Sequence, residues 1–118
     1  MITVKNVHEQ PELSDGARIL VDRLWPRGVR TTGTWIDDWR WDLAPSPALR
    51  KWFRRDLRKW HAFKRRYRHE LEVRGKMSDL RRLAERAKEE TLTLLFVAGD
   101  EEHNSAVALK ELLEELDE

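Results

Sequence analysis

Cysteine is absent from this sequence of 118 residues. That absence excludes a disulfide framework, a thiolate nucleophile and thiolate metal ligands. The sequence also has no glycine-rich phosphate-binding motif, no serine in a nucleophile-elbow pattern and no pair of histidines spaced as metal ligands on one helix. It therefore predicts neither a bound metal nor a cofactor, and whether the protein is an enzyme stays open.

Long apolar runs are also lacking. No stretch approaches the roughly 20 apolar residues that span a bilayer. The first ten residues, MITVKNVHEQ, do not form a basic region followed by an apolar signal core. We therefore expect no membrane partner and a cytoplasmic location, which the lack of cysteine fits.

The residues that are present predict a folded domain. Hydrophobic residues make up 40% of the chain, and the aromatic ones among them, six Trp, three Phe and one Tyr, can bury large areas. A chain of this length can form one hydrophobic core. We expect a single domain over residues 1–118.

Charge is unevenly distributed along the chain, although the formal net charge is only +1. Residues 50–68 contain ten Lys or Arg and one acid, Asp56, for a net charge of about +9. Residues 85–118 contain eleven Asp or Glu and three Lys or Arg, for a net charge of about −8. The two segments can pair within one chain or between neighbouring chains, so the oligomeric state stays open.

Three apolar segments predict strands: Ile2 to Val7, Ile19 to Val21, and the strongest, Thr91 to Val97. The spacing of Trp35, Ile36, Trp39 and Leu43 predicts a short helix over residues 35–42.

Capping residues predict where the other helices begin and end. Ser46 followed by Pro47 is typical of a helix start, and Asp56 can cap a second helix that ends at Gly75. Ser78 can cap a third helix, and a terminal amphipathic helix begins near His103.

Strands separated by helices favour right-handed crossovers between parallel strands. The predicted fold is α/β, with a small, mostly parallel sheet of three or more strands flanked by helices. If the strands at 19–22 and 92–97 are parallel neighbours, the residues after them meet at the carboxyl edge of the sheet. Open α/β sheets usually bind ligands at that edge.

Polar residues follow both strands and gather at this predicted edge. They are Asp22, Arg23, Arg27, Asp100, His103 and Asn104. His103, oriented by Asp22 or Asp100, is a candidate acid or base, and the two arginines can clamp a phosphate or carboxylate. Lys51 begins the preceding helix beside Trp52, so it can also reach the edge.

A purely structural interpretation of the same residues is equally open. In it Asp22 and Arg23 form a buried pair, Arg27 braces the loop at Pro26, and Asp100 or Asn104 only caps the last helix.

The basic segment suggests an alternative function as a nucleic-acid or protein interaction module. Its aromatic residues fall mainly on the inner stripe of the helices, which predicts that they belong to the core. The basic side chains would then form a solvated face that can contact phosphates, with Arg54, Arg58, Lys59 and Arg65 as candidate contacts.

Three segments together resemble a known family. DGARILVDRLWPRGV (15–29), LAPSPALRKWF (43–53) and LLFVAGDEEHNSAVAL (94–109) are similar to the YeaO-like branch of domain of unknown function family 488. The resemblance spans nearly the whole chain and implies a compact bacterial or archaeal α/β protein, without an activity to transfer. It adds Trp25 and Gly28 to the candidate ligand-binding residues.

The chain departs from the family pattern at three places. It has Arg55-Asp56-Leu57 where relatives often have His followed by Asp-Pro, and Gly99 where they often have a basic residue. More distant members carry Cys-His-Arg where this chain has Glu102-His103-Asn104. A thiol mechanism therefore cannot be transferred.

Overall fold

Parallel strands form one sheet in the order β1-β4-β2-β3. The structure, a computed structural model, describes residues 1–30, 35–97 and 99–117. The strands are β1 (Ile2–Asn6), β2 (Ala17–Leu20), β3 (Asp38–Trp39) and β4 (Leu92–Phe96), and the helices are α1 (Pro47–Phe53), α2 (Trp60–Val73), α3 (Met77–Glu89) and α4 (Ser105–Leu116). Short 3₁₀ turns lie at Leu13–Asp15, Trp41–Leu43 and Leu57–Lys59. The predicted mostly parallel α/β fold is confirmed.

The parallel pairing of β2 with β4 positions the functional edge. Ile19 is opposite Leu94 and Leu20 is opposite Leu95 in the register of these two strands. The chain after β2 and the chain after β4 therefore leave the sheet at the same carboxyl edge, as the sequence predicted.

Several of the predicted helix ends are present. The Ser46 hydroxyl accepts a hydrogen bond from the Leu49 amide at 3.1 Å, and Pro47 is the first helical residue. Asp56 accepts from the Arg58 amide at 3.1 Å in the turn that leads into α2. Gly75 follows α2 with φ +74°, a conformation that glycine adopts without steric cost.

The predicted helix over 35–42 is wrong. Asp38 and Trp39 form the edge strand β3 opposite Ile19 and Leu20, and residues 31–34 lie outside the described residues. The Arg40 amide donates to the Leu20 carbonyl at 2.8 Å. The edge of β2 thus supplies backbone hydrogen-bond partners that this segment would otherwise have found within a helix. The helical spacing of the tryptophans did not mark a buried face, because Trp35 is 66% exposed.

The predicted cap at Ser78 is also wrong. Helix α3 begins at Met77, with Lys76 before it, so Ser78 lies inside the first turn. At Gly75 the backbone turns in the left-handed conformation, so that the Lys76 amide donates to the Leu71 carbonyl of α2 at 3.0 Å. This turn leaves no extended residue between Lys76 and the helix for a serine cap to occupy.

The main core lies between the sheet and the helices. Ile19, Val21 and Leu94 face the helices, and the α2 residues Phe63 and Tyr67 are almost fully buried against them. This burial confirms the prediction that the aromatic residues of the basic segment are mainly core.

The opposite face of the sheet is covered by loops. Leu20 and Leu95 form a smaller cluster there with Val7, packed by Trp25 and Ile36 from the segment between β2 and β3. The loop after β2 is thus drawn to the side of the sheet away from the helices.

Candidate functional site

A cleft of about 540 Å³ opens at the carboxyl ends of β2 and β4, and we call it the carboxyl-edge cleft. Its lining comes from the end of β2, from α1 and the turn after it, and from the segment that joins β4 to α4. The lining residues are Asp22, Pro45, Pro47, Arg50, Lys51, Phe53, Arg54, Arg55, Phe63, Phe96, Val97, His103, Asn104 and Ser105. Its volume is within the range of small-molecule sites.

Positive charge dominates the cleft. Four of the lining residues are Lys or Arg, and Asp22 is the one carboxylate among them. Asp22 is 9% exposed, and its Oδ1 accepts from Arg50 Nη1 at 3.0 Å. The backbone carbonyl of Asp22 accepts from the Trp39 indole at 2.8 Å, which fixes this residue from the side of β3. Because Arg50 and Asp22 neutralise each other, the charges of Lys51, Arg54 and Arg55 are left to the cleft.

Arg54 and Arg55 have an unusual backbone. Both have positive φ, +38° and +59°, although neither is glycine. The Arg55 guanidinium lies against Gly99 of the β4–α4 segment, since Nη2 would be 3.5 Å from a Cβ built on that glycine. The side chain thus reaches from the turn after α1 to the β4–α4 segment.

His103 is oriented by Asp100. Its Nδ1 lies 3.2 Å from Asp100 Oδ2, and its ring contacts Trp60 edge-on with centroids 5.1 Å apart. Hydrogen bonds from the Glu102 and His103 amides, and then the His103 ring itself, lower the pKa of Asp100. Since Nδ1 is engaged, Nε2 is the ring nitrogen left to meet a ligand.

Asn104 has a structural role that is visible in the contacts. Its Oδ1 accepts from the Val107 amide at 2.9 Å, so it is the N-cap of α4. Its Nδ2 donates to the Asp100 carbonyl at 2.9 Å, and the residue is 5% exposed. The structural interpretation of this asparagine as a helix cap is therefore confirmed, and the cap also fixes the cleft wall that carries His103.

The structure brings together only part of the predicted site. Asp22, Lys51, His103 and Asn104 line the carboxyl-edge cleft, with Asp100 behind His103. The candidate ligand-binding residues outside the cleft lining are Arg23, Trp25, Arg27 and Gly28.

The loop after β2 explains this division. Trp25 packs edge-on against Trp39 with centroids 5.5 Å apart, and its indole donates to the Val29 carbonyl at 2.7 Å. Arg23 and Arg27 are exposed, and Gly28 lines a shallow depression beside Val7 and Ile36 on the other face of the sheet. The suggested buried pair of Asp22 with Arg23 is wrong, because Asp22 pairs with Arg50.

The basic face of residues 50–68 is engaged in part by intramolecular partners. Lys64 pairs with Glu111 at 2.9 Å, and Arg68 pairs with Glu115 at 2.9 Å, so the acidic C-terminal segment neutralises part of α2 in the same chain.

The four residues of the nucleic-acid alternative differ in their surroundings. Arg58 pairs with Asp56, Lys59 donates to the Trp52 carbonyl at 2.9 Å, Arg54 lines the cleft, and Arg65 is exposed on α2. Two of the four are thus already engaged within the chain.

The sequence interpretation overlooked Arg50 and Arg55 as cleft residues. The signal for Arg50 was present, because residue 50 lies one position before Lys51 on the same short helix. No local pattern marks Arg55, because its position depends on two successive left-handed residues that sequence propensities disfavour.

Within the described residues, 1–30, 35–97 and 99–117, no group of three or more His, Asp or Glu side chains is arranged to hold a metal ion. None of their helices combines the length and the apolar content needed to span a bilayer.

The fold and the cleft together define a small parallel α/β domain with a cationic cleft at the carboxyl edge of its sheet. The family model described as the inactive DUF488-N3 subclade matches residues 1–118. The chain belongs to the YeaO-like branch of the DUF488 family.

Individual relatives agree with this assignment. The chain is 42% identical to the uncharacterised protein YeaO of Escherichia coli strain K12, over 98% of each chain. It is 36% identical to the uncharacterised protein Rv3073c of Mycobacterium tuberculosis strain H37Rv, over 73% of each chain. No solved structure matches the chain significantly.

Proposed function

We propose that this protein binds a small phosphate- or carboxylate-bearing molecule in the carboxyl-edge cleft. The observation that carries the proposal is the set of three cations, Lys51, Arg54 and Arg55, around one cleft whose single carboxylate is already paired with Arg50. Cationic side chains brought close together repel one another, and a bound anion removes that repulsion. The ligand would therefore supply the negative charge that the protein itself does not place there.

The apolar part of the lining supports an organic ligand. Phe53, Phe96 and Val97 form part of the cleft wall beneath the cations. Ligand sites commonly combine such apolar walls with a few charged groups that fix orientation. The first turn of α4 also borders the cleft at Ser105, and the positive end of a helix dipole favours an anion.

Binding without turnover is the interpretation that the site favours. Of the two candidate partners of His103, Asp100 contacts its ring, whereas Asp22 is engaged by Arg50. The matching family model is described as an inactive subclade, and the chain has no cysteine. In its protonated form His103 can then donate to the anion through Nε2, because Nδ1 already donates to Asp100, and binding does not require it to act as an acid or base.

Calorimetric titration tests the proposal. The wild-type protein is titrated with a panel of phosphate and carboxylate compounds. The titration with each compound that binds is then repeated with the Lys51→Ala variant. Arg65→Ala is the matched control, because it removes one exposed cation outside the cleft lining. The proposal predicts weaker binding by Lys51→Ala and unchanged binding by the control.

Two outcomes would contradict the proposal. One is that no anion of the panel binds the wild-type protein. The other is an equal loss in both variants, which would indicate a diffuse surface charge such as a nucleic-acid interface. Arg23→Ala is added to decide whether the loop after β2 contributes, since the structure places Arg23 outside the cleft lining.

A further inference from the structure

The turn after α1 places arginine where the backbone favours glycine. Arg54 is the C-cap of α1, with φ +38° and ψ +44°, and its amide donates to the Arg50 carbonyl at 3.0 Å. Arg55 continues in the same left-handed region with φ +59°. Helices commonly end in this conformation at glycine or asparagine, because a longer side chain crowds its own backbone there. Two successive arginines therefore work against the turn that they occupy.

Both arginines line the cleft. Among the described residues, neither guanidinium makes a side-chain hydrogen bond or an ion pair with the protein. The Arg55 guanidinium lies beside the β4–α4 segment, where Nη2 would be in ordinary van der Waals contact, at 3.5 Å, with a Cβ built on Gly99. Strained residues of this kind tend to cluster at functional sites, where the surrounding fold holds them in place.

The amount of charge distinguishes the two anion classes left open above. With Arg50 neutralised by Asp22, the cleft presents three positive charges, those of Lys51, Arg54 and Arg55. A carboxylate brings one negative charge, whereas a phosphate monoester brings about 1.5 to 2 near pH 7. Paired guanidinium forks also match the several oxygens of a tetrahedral phosphate. The phosphate monoester is thus the better match in both charge and shape.

We propose that the ligand of the carboxyl-edge cleft is a phosphate monoester with an apolar organic group, and that Arg54 and Arg55 form the phosphate clamp. This inference rests on the proposed function, because it names the ligand class of the same cleft. The organic group would lie against Phe53 and Val97, which line the same cleft.

Three probes with one ring test the inference: phenyl phosphate, phenyl sulfate and benzoate. The sulfate keeps the tetrahedral shape with a single charge, and benzoate keeps the single charge in a planar group. In calorimetric titration of the full chain, we expect phenyl phosphate to bind at least about tenfold more tightly than either monoanion, because it carries nearly one extra charge. Equal binding of benzoate and phenyl phosphate would overturn the inference and leave the proposed anion site in place. If none of the three binds, the proposed function fails together with the inference.

The variant Arg54→Gly/Arg55→Gly separates a ligand clamp from a structural turn. Glycine removes both charges and suits the left-handed backbone, so we expect phenyl phosphate affinity to fall at least about tenfold while the melting temperature stays equal or rises by about 3–5 °C. Arg58→Ala is the matched control, since Arg58 lies three residues after Arg55 with a side chain 91% exposed, and it should bind as the wild type does. Unchanged binding by the glycine variant would overturn the clamp.

A second variant covers the case in which the glycine variant melts at a lower temperature. Arg54→Lys/Arg55→Lys keeps both charges in the same turn and removes the planar fork. A loss of phenyl phosphate affinity by several-fold in a normally folded lysine variant would support the clamp. Wild-type affinity in that variant would overturn it.

Discussion

Replacing Gly16 by alanine should destabilise the fold far more than the same change at Gly75. Gly16 has φ +64° and ψ −137°, a combination that residues with a Cβ rarely adopt. A Cβ built on it would lie 2.1 Å from the Thr91 carbonyl oxygen, which is backbone and cannot rotate away. The contact sits where β2 begins, because the Ala17 amide donates to that same oxygen at 3.1 Å.

The size of the effect can be worked from these contacts. The unfavourable backbone conformation of alanine at this position costs on the order of 1–3 kcal/mol. Moving the backbone to relieve the contact between the new Cβ and the Thr91 carbonyl costs about 1–3 kcal/mol, and weakening the hydrogen bond from the Ala17 amide to that carbonyl costs about 1 kcal/mol. We expect Gly16→Ala to lower the free energy of unfolding by about 3–7 kcal/mol. Gly75 has φ +74° but open space around it, so Gly75→Ala should cost only about 1 kcal/mol.

Urea denaturation followed by tryptophan fluorescence measures both losses on one scale. The six tryptophans provide the signal, and the slope against urea should be unchanged in both variants. Gly16 lies beside Thr91 at the amino ends of β2 and β4, opposite the cleft, so any ligand affinity should be retained. Equal losses at Gly16 and Gly75 would refute the reasoning, since the contact with Thr91 and the rarer backbone conformation both set Gly16 apart.

The remaining predictions concern three polar side chains, those of Tyr67, Asp42 and Asn104. Tyr67→Phe removes the hydroxyl that donates to the buried Leu43 carbonyl and should cost about 1–3 kcal/mol in urea denaturation. Burial raises the pKa of Tyr67, the single tyrosine. Because tyrosine in the unfolded state ionises near pH 10, the folded protein should lose stability as the pH rises above about 10. An alkaline titration of tyrosine absorbance should show ionisation only when the protein unfolds. Hydrogen bonds, chiefly from Arg40, lower the pKa of Asp42 to about 2. The ionised carboxylate therefore stabilises the folded state above about pH 4, and this contribution is lost as the pH falls through 2. Asp42→Asn should reduce the dependence of the free energy of unfolding on pH in this acidic range. Asn104→Ala should cost about 1 kcal/mol in thermal unfolding, whereas Asn104→Asp should keep the cap.

Local sequence signals were sufficient where local physics decides the structure. The Ser46-Pro47 start of α1 and the apolar strand at 92–96 depend on neighbouring residues, and both were predicted. The segment at 35–42 was not, because Asp38 and Trp39 are strand residues only by virtue of pairing with the edge of β2. A partner distant in sequence overrode the helical spacing.

The same distinction applies to the site. Asp22 and His103 were predicted at the edge because parallel strands carry their following residues to one side, and Lys51 was predicted there from its position beside Trp52 near the start of α1. Arg23 and Arg27 were expected with them, but Trp25 anchors their loop to the opposite face of the sheet through Trp39. Arg54 and Arg55 enter the cleft through a left-handed turn that sequence propensity argues against.

The strand order has a consequence for how this chain folds during synthesis. The central strand β4 is the last to leave the ribosome, and it must separate β1 from β2, both made long before. Thr3 and Thr93, whose hydroxyls are 2.6 Å apart across the finished sheet, are 90 residues apart in sequence. Pairings between residues this distant in sequence slow folding, because the chain must lose the entropy of closing a long loop before the contacts that stabilise it can form. In the nascent N-terminal half only β2 and the two-residue β3 are neighbours in the sheet, so the domain should acquire its fold only after β4 emerges.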